Sequence, residues 1–371
     1  MSLLKKFRQW RDKLRFQRNF KRFYFMPSGR PEDFKFAKLK HLVISKMDGK
    51  LGDSQVITAF IHNLKMQLPE LQITVICTDN VAAIYRDVLG LQTIVICKKA
   101  QPEAVKQAIG GSGLFTKQPC DALLTTEPNF RPRDLCLNFL LQPQYLIGIE
   151  ERSGSVNINL KSRSFGRHIS EYFEDLLTLV GLKVLDRSYL PIFNQEQQAW
   201  AEGLFDKQCL GIAPYGASTH RHLSDACILE LLRFIVDVTN LKPALLFNPS
   251  AELLKSCREI CGERLLEKPK DTSAQEFAAL IAACGAIVSV DSAPVHLANG
   301  SRTPAFCIYS GHDPEGIKRW GPAPFAKECS IFYKQGTAIE HLNFADFKSA
   351  LFDFLASKFE NGSQPLMRKE K

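Results

Sequence analysis

The 371-residue sequence lacks any run near the ~20 consecutive apolar residues that cross a bilayer, and its first 24 residues carry charge throughout. Neither a spanning helix nor a cleavable signal peptide is expected, and the chain reads as cytoplasmic. It also lacks a disulfide framework: its 11 cysteines are odd in number and scattered, and Cys77, Cys97, Cys209, Cys284 and Cys307 sit in apolar runs as reduced core thiols do. Cys257 and Cys261 share one face of an expected helix, but no second ligand pair lies nearby and no zinc site is expected. No G-x-G-x-x-G follows the first expected strand and there is no P-loop, which argues against a nicotinamide dehydrogenase or a kinase. A D-x-D triplet is missing too, so no divalent-metal clamp is expected. What remains is ordinary globular material, 45% hydrophobic and 23% charged, at a length that suggests two domains.

Net charge is also scarce over most of the chain. Residues 1–24 hold nine Lys/Arg against one acid, Asp12, so +8 of the total +9 falls there and about +1 on everything after. This arm carries Leu3, Phe7, Trp10 and Leu14 at helical spacing, followed by Phe16, Phe20 and Phe23. A basic amphipathic helix with aromatic residues reads as a membrane-surface anchor, its rings in the headgroup boundary and its cations on anionic lipid. The same pattern serves a helix packed on its own protein with a solvated charged face. Nucleic acid is not an expected partner, because no RNA- or DNA-binding module follows the arm.

From residue 38 onward short apolar runs alternate with helical patterns, the arrangement of parallel sheets with crossover helices. Strands are expected at 41–45, 72–77, 92–97, 121–125 and 145–149, with helices at 54–67 and 80–88 between them. After a linker-like stretch, Pro191 to Gln198, a second unit carries strands at 209–213, 243–247, 286–290 and 305–309. Its expected helices are 224–238, 250–261 and 273–283, the last opened by a Ser273/Glu276 capping box. A final amphipathic helix is expected over 343–359. Two doubly wound domains in tandem would leave a cleft at the carboxyl ends of their strands, where open α/β sheets bind ligands.

The loops just after strands carry the chemistry. Strand 286–290 runs into Asp291, Ser292, Ala293 and Pro294, small residues that let a phosphate approach backbone N–H groups at a helix N-terminus. His296, one turn on, can aim a nitrogen at the same place or fill the core. Strand 209–213 leads into a loop in which Ser218 and Thr219 can donate to phosphate and Arg221 can neutralise a diphosphate, or in which they form an ordinary turn. The first half offers Lys46, Lys50 and Gly52 before Asp53, which is placed either as a general base at the cleft or as a helix N-cap.

The run Val288 to Ala298, with Gly300, Thr303 and Pro304, resembles the signature of the ADP-heptose:lipopolysaccharide heptosyltransferases, glycosyltransferase family 9. Gly52-Asp53, the helix from Leu64 to Pro69, the Tyr215-to-Arg221 loop, and Gly311 to Pro314 with Trp320 and Pro322 add to the resemblance, which spans about residues 38–358. It implies a GT-B fold of two Rossmann-like domains. The expected division is a basic arm over 1–24, an acceptor-binding domain over 25–192, a nucleotide-sugar domain over 193–342, and a C-terminal segment over 343–371 whose helix crosses back to the first domain. By resemblance Asp53 is the catalytic base, while Ser218, Thr219, Arg221, Asp291, Ser292, Ala293 and His296 bind the donor. Lys46, Lys50 and Gly52 fall to the acceptor. The implied reaction is inverting and metal-independent, with no cofactor beside the nucleotide sugar ADP-heptose. The implied acceptor is an anionic lipid-linked inner-core saccharide of lipopolysaccharide or lipooligosaccharide at the cytoplasmic face of the inner membrane of a Gram-negative bacterium. Use of another nucleotide sugar, a nucleotide-sugar epimerase, and a non-catalytic nucleotide-sugar-binding protein are the alternatives.

Overall fold

The computed structural model describes residues 3–97, 100–117, 119–161, 166–179 and 181–359. The tail 360–371 lies outside the described residues, as do the side chains of Leu3, Lys5, Lys6 and Arg8. The chain forms two units, the first of Met1–Lys50, Phe60–Phe165 and Glu171–Leu185, the second of Leu51–Ala59, Gly166–Ser170 and Asp186–Lys371.

The first unit is built on β1 (His41–Lys46), β2 (Gln72–Cys77), β3 (Gln92–Val95), β4 (Ala122–Thr125), β5 (Tyr145–Gly148) and β6 (Ile158–Asn159). They pair in parallel in the order β3-β2-β1-β4-β5-β6, with Val43 of β1 opposite both Thr74 and Leu123. β1 is buried along its whole length, as expected of a central parallel strand with both faces covered. Its end turns at Gly49, φ +62°, where the Asn80 Nδ2 donates to the glycine carbonyl at 2.9 Å and an added Cβ would meet the Thr78 hydroxyl.

The second unit repeats the plan with β7 (Cys209–Ala213), β8 (Lys242–Leu245), β9 (Leu266–Glu267), β10 (Ala286–Val290), β11 (Ala305–Ile308) and β12 (Cys329–Phe332), in the parallel order β12-β11-β10-β7-β8-β9. In both sheets the first and fourth strands are neighbours at the centre. Strand order reverses there, the position at which open α/β sheets take ligands.

Several boundaries differ from the sequence reading. The helix expected over 54–67 is two helices, Leu51–Val56 and Thr58–Gln67, and the first groups with the second unit. The second unit also takes in Gly166–Ser170 and starts from Asp186 rather than 193. The expected linker holds a helix, Gln195–Glu202, capped by the Asn194 carboxamide accepting from the Gln197 N–H. Most consequentially, the C-terminal helix Phe344–Phe359 buries Phe344, Phe347, Leu351, Phe354 and Leu355 in the second unit's own core, among Leu231, Phe234 and Phe306. The helix foreseen as a segment crossing back to the first domain is thus a member of the second unit. The Ser273/Glu276 capping box forms as expected, and Cys257 and Cys261 lie inside the same core, where burial pushes their thiols up to about 11 and about 12.

The N-terminal helix, Leu3–Arg22, has two apolar faces. Phe16 and Phe23 are buried in the first unit's core with Leu135, Leu137 and Leu141, whereas Phe7, Trp10 and Leu14 stand 58%, 57% and 46% exposed. At about 100° per residue the two sets point roughly opposite ways. The second half packs on its own protein, one of the two uses foreseen for an amphipathic arm, and the first half leaves its apolar side chains exposed. No helix among the described residues is long and apolar enough to cross a membrane.

Candidate active site

The second sheet positions its site through β7 and β10. Because they are adjacent and in register, Gly211 opposite Ile287 and Ala213 opposite Ser289, the loops leaving their carboxyl ends meet. Arg221 from the first loop and Asp291 from the second form an ion pair at 3.2 Å, with side chains 42% and 24% exposed. Burial pushes the Asp291 carboxyl up and Asp313 adds to this, while the Arg221 guanidinium draws it down. Gly216 makes the approach possible: a Cβ there would lie 2.6 Å from Arg221 and 3.1 Å from the Asp291 carbonyl.

The remaining residues of the two loops are less uniform. The Ser218 hydroxyl is 3.0 Å from His220 Nε2, and the Arg221 N–H donates to the Ser218 carbonyl at 2.8 Å, closing the single turn Thr219–Arg221. Thr219 is exposed. Ser292, the residue before helix Ala293–Ser301, does not cap it; its hydroxyl donates instead to the Val290 carbonyl at 3.0 Å. Pro294 brings no N–H and the Val295 N–H donates to the Ser292 carbonyl at 3.2 Å, so the start of that helix offers an anion the Ala293 N–H and the positive end of its dipole.

His296 is not displayed to solvent. Only 6% exposed, it packs edge-on to Trp320 and beneath Gly52, where a Cβ would lie 2.8 Å from its Cδ2 and 3.4 Å from Ala293 Cα. Burial holds its pKa down to about 3, so the imidazole is neutral. Gly52 is thus the close contact between the short helix Leu51–Val56 and helix Ala293–Ser301, a role for a missing side chain rather than for acceptor binding. Gln55 extends the contact, lying against Gly300 and donating to the Leu190 carbonyl at 2.6 Å. Asp53 is half-buried at the third position of its helix, inside the first turn and not at the cap. The sequence places it directly after the first sheet's first strand, yet it belongs to the same compact unit as Arg221 and Asp291.

In the first unit, Lys46 is 3% exposed and ion-paired with Asp48 at 3.5 Å, which makes it an internal counter-charge. Lys50 is 64% exposed, 3.9 Å from the same carboxylate, and lines a cavity of about 740 Å³. Sequence reasoning missed Arg131, Arg133 and Arg152, which also line that cavity: Arg131 precedes helix Pro132–Leu141 and Arg133 lies in its first turn, Arg152 lies in the loop after β5, and no motif joins them. A larger space of about 1070 Å³, bounded by Tyr189, Lys207 and Arg302, lies at the amino ends of the second unit's strands, away from these loops.

Residues 237–337, which include β8 to β12, match the model of glycosyltransferase family 9 (heptosyltransferase). The chain is a glycosyltransferase carrying a family 9 domain. Its α/β architecture is that of GT-B heptosyltransferase structures. The solved family 9 glycosyl transferase from Veillonella parvula aligns with a TM-score of 0.67 at 15% identity, over 87% of this chain and 99% of that one. Escherichia coli heptosyltransferase WaaC with ADP aligns at 0.64 and 14%, over 85% and 99%. The Escherichia coli ADP-heptose lps heptosyltransferase II aligns at 0.62 and 17%, over 87% and 100%. No curated protein sequence matches the chain.

Proposed function

We propose that this glycosyltransferase transfers heptose from ADP-heptose to an anionic, lipid-linked inner-core saccharide of lipopolysaccharide or lipooligosaccharide. The observation that carries the reading is the joining of two loops in one unit. The Arg221–Asp291 pair sits at the strand-order reversal of the second sheet, and the helix bearing Asp53 rests, through Gly52, on the helix that begins just after Asp291. Similarity to structures described as heptosyltransferases, one of them with ADP, supports the donor class.

A sugar hydroxyl is a poor nucleophile, so Asp53 removes its proton as it attacks the anomeric carbon. The bond to the nucleoside diphosphate breaks in the same displacement, the anomeric centre inverts, and no covalent enzyme intermediate forms. Charge developing on the departing diphosphate meets Arg221 and the N-terminal end of helix Ala293–Ser301, with its Ala293 N–H. The phosphates would be repelled by Asp291, so its carboxylate serves better to orient Arg221 and accept from a nucleoside hydroxyl or amino group. No metal or cofactor is assigned a step. Phe7, Trp10 and Leu14, exposed on the basic helix, hold the enzyme at the cytoplasmic membrane surface where the acceptor lies.

Incubation with ADP-heptose and a truncated lipopolysaccharide acceptor tests the assignment. Heptosylated acceptor with release of ADP is expected. Epimerised nucleotide sugar, or binding of ADP-heptose without transfer, would each replace this reading.

A further inference from the structure

We propose that the second half of the N-terminal helix is one wall of a site for a phosphorylated saccharide, with Arg15, Arg131 and Arg152 as its anion ligands. This deepens the reading of an anionic acceptor and rests on it. The cavity of about 740 Å³ lies wholly within the first unit, at the carboxyl edge of its sheet. Its walls follow four different strands: Lys50 after β1, Gln101 after β3, Arg131 after β4 and Arg152 after β5. The N-terminal helix closes it with Asp12, Arg15 and Phe16. The volume is that of an ordinary small-molecule site, far larger than a lone phosphate requires.

Two of the three arginines are held in place by neutral partners. The Arg152 guanidinium stacks 3.7 Å over the Phe16 ring, itself only 8% exposed, and Arg15 Nη2 donates to Gln101 Oε1 at 3.2 Å. Among the ion pairs of the described residues, Lys50 is matched by Asp48 and Arg133 by Asp134, but none engages Arg15, Arg131 or Arg152. Of the five basic side chains around this cavity, Lys50 and Arg133 have carboxylates of their own; Arg15, Arg131 and Arg152 have near them Asp12, which already pairs with Arg11 at 3.2 Å, Glu127, and Asp134, whose carboxyl is shared with Arg133. Converging guanidinium groups without counter-charges repel one another, and a bound oxyanion relieves that repulsion while accepting paired N–H bonds from the forks.

The test is calorimetric titration of the full chain with glucose 6-phosphate, with glucose as the neutral control and ADP as the control for the second unit. Glucose 6-phosphate is expected to bind at least about tenfold more tightly than glucose. The double variant Arg15→Gln/Arg152→Gln changes two exposed side chains and should weaken that binding by about tenfold or more, with ADP affinity and thermal midpoint unchanged. Co-sedimentation with phosphatidylcholine/phosphatidylglycerol vesicles should fall less than sugar binding, since Phe7 and Trp10 remain. The proposal is overturned if the parent does not bind glucose 6-phosphate, if the double variant binds it normally, or if the variant loses vesicles and keeps the sugar. Sugar binding without any ADP binding would leave this pocket standing and remove the transferase reading on which its substrate rests.

Discussion

The two sheets of this chain share a strand order and diverge in what their carboxyl edges carry. The first ends in long cations around an open cavity: Lys50, Arg131 and Arg152 follow its strands, and Arg133 lies in the first turn of the helix after β4. The second carries small residues at the loops after β7 and β10, Gly216, Ala217, Ser218, Ser292 and Ala293, and the cation beside them, Arg221, is already matched to Asp291. An edge of small residues lets a ligand reach backbone N–H groups at fixed positions, as a diphosphate needs. An edge of arginines adapts to anions whose spacing varies, as a charged saccharide needs. The same backbone plan therefore specifies nothing about chemistry, which is set by side chains in loops the sheet only positions. Helix Leu51–Val56 complicates the division, since it follows the first strand in sequence but is a member of the second unit.

If that helix carries the base, removing its carboxylate should produce the largest effect of any single change. Asp53→Asn is expected to lower turnover by about 10² to 10⁴ while leaving ADP affinity nearly unchanged, the usual share of general-base catalysis. Normal turnover in the folded variant would return Asp53 to a first-turn helix residue and leave the comparison without its catalytic half.

The seam between the two helices can be broken next. Gly52→Val brings a branched side chain against His296 Cδ2, where even a single Cβ would stand at 2.8 Å, and should destabilise the chain by about 2 to 3 kcal/mol. His296→Ala should recover part of that loss in a double-mutant cycle, and additive losses would show that the contact is not shared. The histidine also has a pH signature. Its pKa is held near 3 when folded and returns to about 6.5 when unfolded, so its contribution is fully present above 6.5 and is lost as pH falls towards 3. Urea midpoints measured from pH 7 to pH 4 should fall less steeply for His296→Gln than for the parent.

Smaller again is the donor edge. Arg221→Ala should weaken ADP binding by about tenfold to a hundredfold, the scale of one charge-assisted contact at a partly exposed site, without altering glucose 6-phosphate binding in the first unit. Parallel losses in both would mean the two edges are not independent.

How much of this was legible beforehand follows from how local each signal is. The central strands are β-branched runs bounded by turns, so β1, β7 and β10 were placed within a residue or so. The edge strands β6 and β9 have two residues each, too short to show a period, and β12 is only partly buried. Asp291 and Arg221 were legible because each follows directly on a strand. For His296 the sequence leaves the site and the core both open, because the choice depends on Gly52, more than two hundred residues away, having no side chain. The C-terminal helix showed its apolar face clearly in sequence, but a face does not say which sheet it covers. The cationic cavity was invisible for a similar reason: Arg15, Arg131 and Arg152 form no pattern until the fold collects them.

The smallest expected effect on stability concerns the N-terminal helix, where the comparison becomes one between halves of a single element. Phe16 is nearly buried in the first unit's core, so Phe16→Ala should cost about 3 kcal/mol and lower the thermal midpoint. Phe7, Trp10 and Leu14 stand largely exposed, so replacing all three with Ser should change stability by less than about 0.5 kcal/mol per site. Their value lies in a second solvent. If the exposed half enters a headgroup layer, the triple variant should leave phosphatidylglycerol vesicles at salt concentrations the parent tolerates, because insertion is lost while electrostatic attraction, screened within about 10 Å at 0.1 M salt, remains. Deleting the whole arm does not isolate this effect, since it also removes Phe16 and Phe23 from the core. Vesicle binding by the triple variant equal to the parent's at every salt concentration would confine the helix to the protein, with its charge serving the pocket alone.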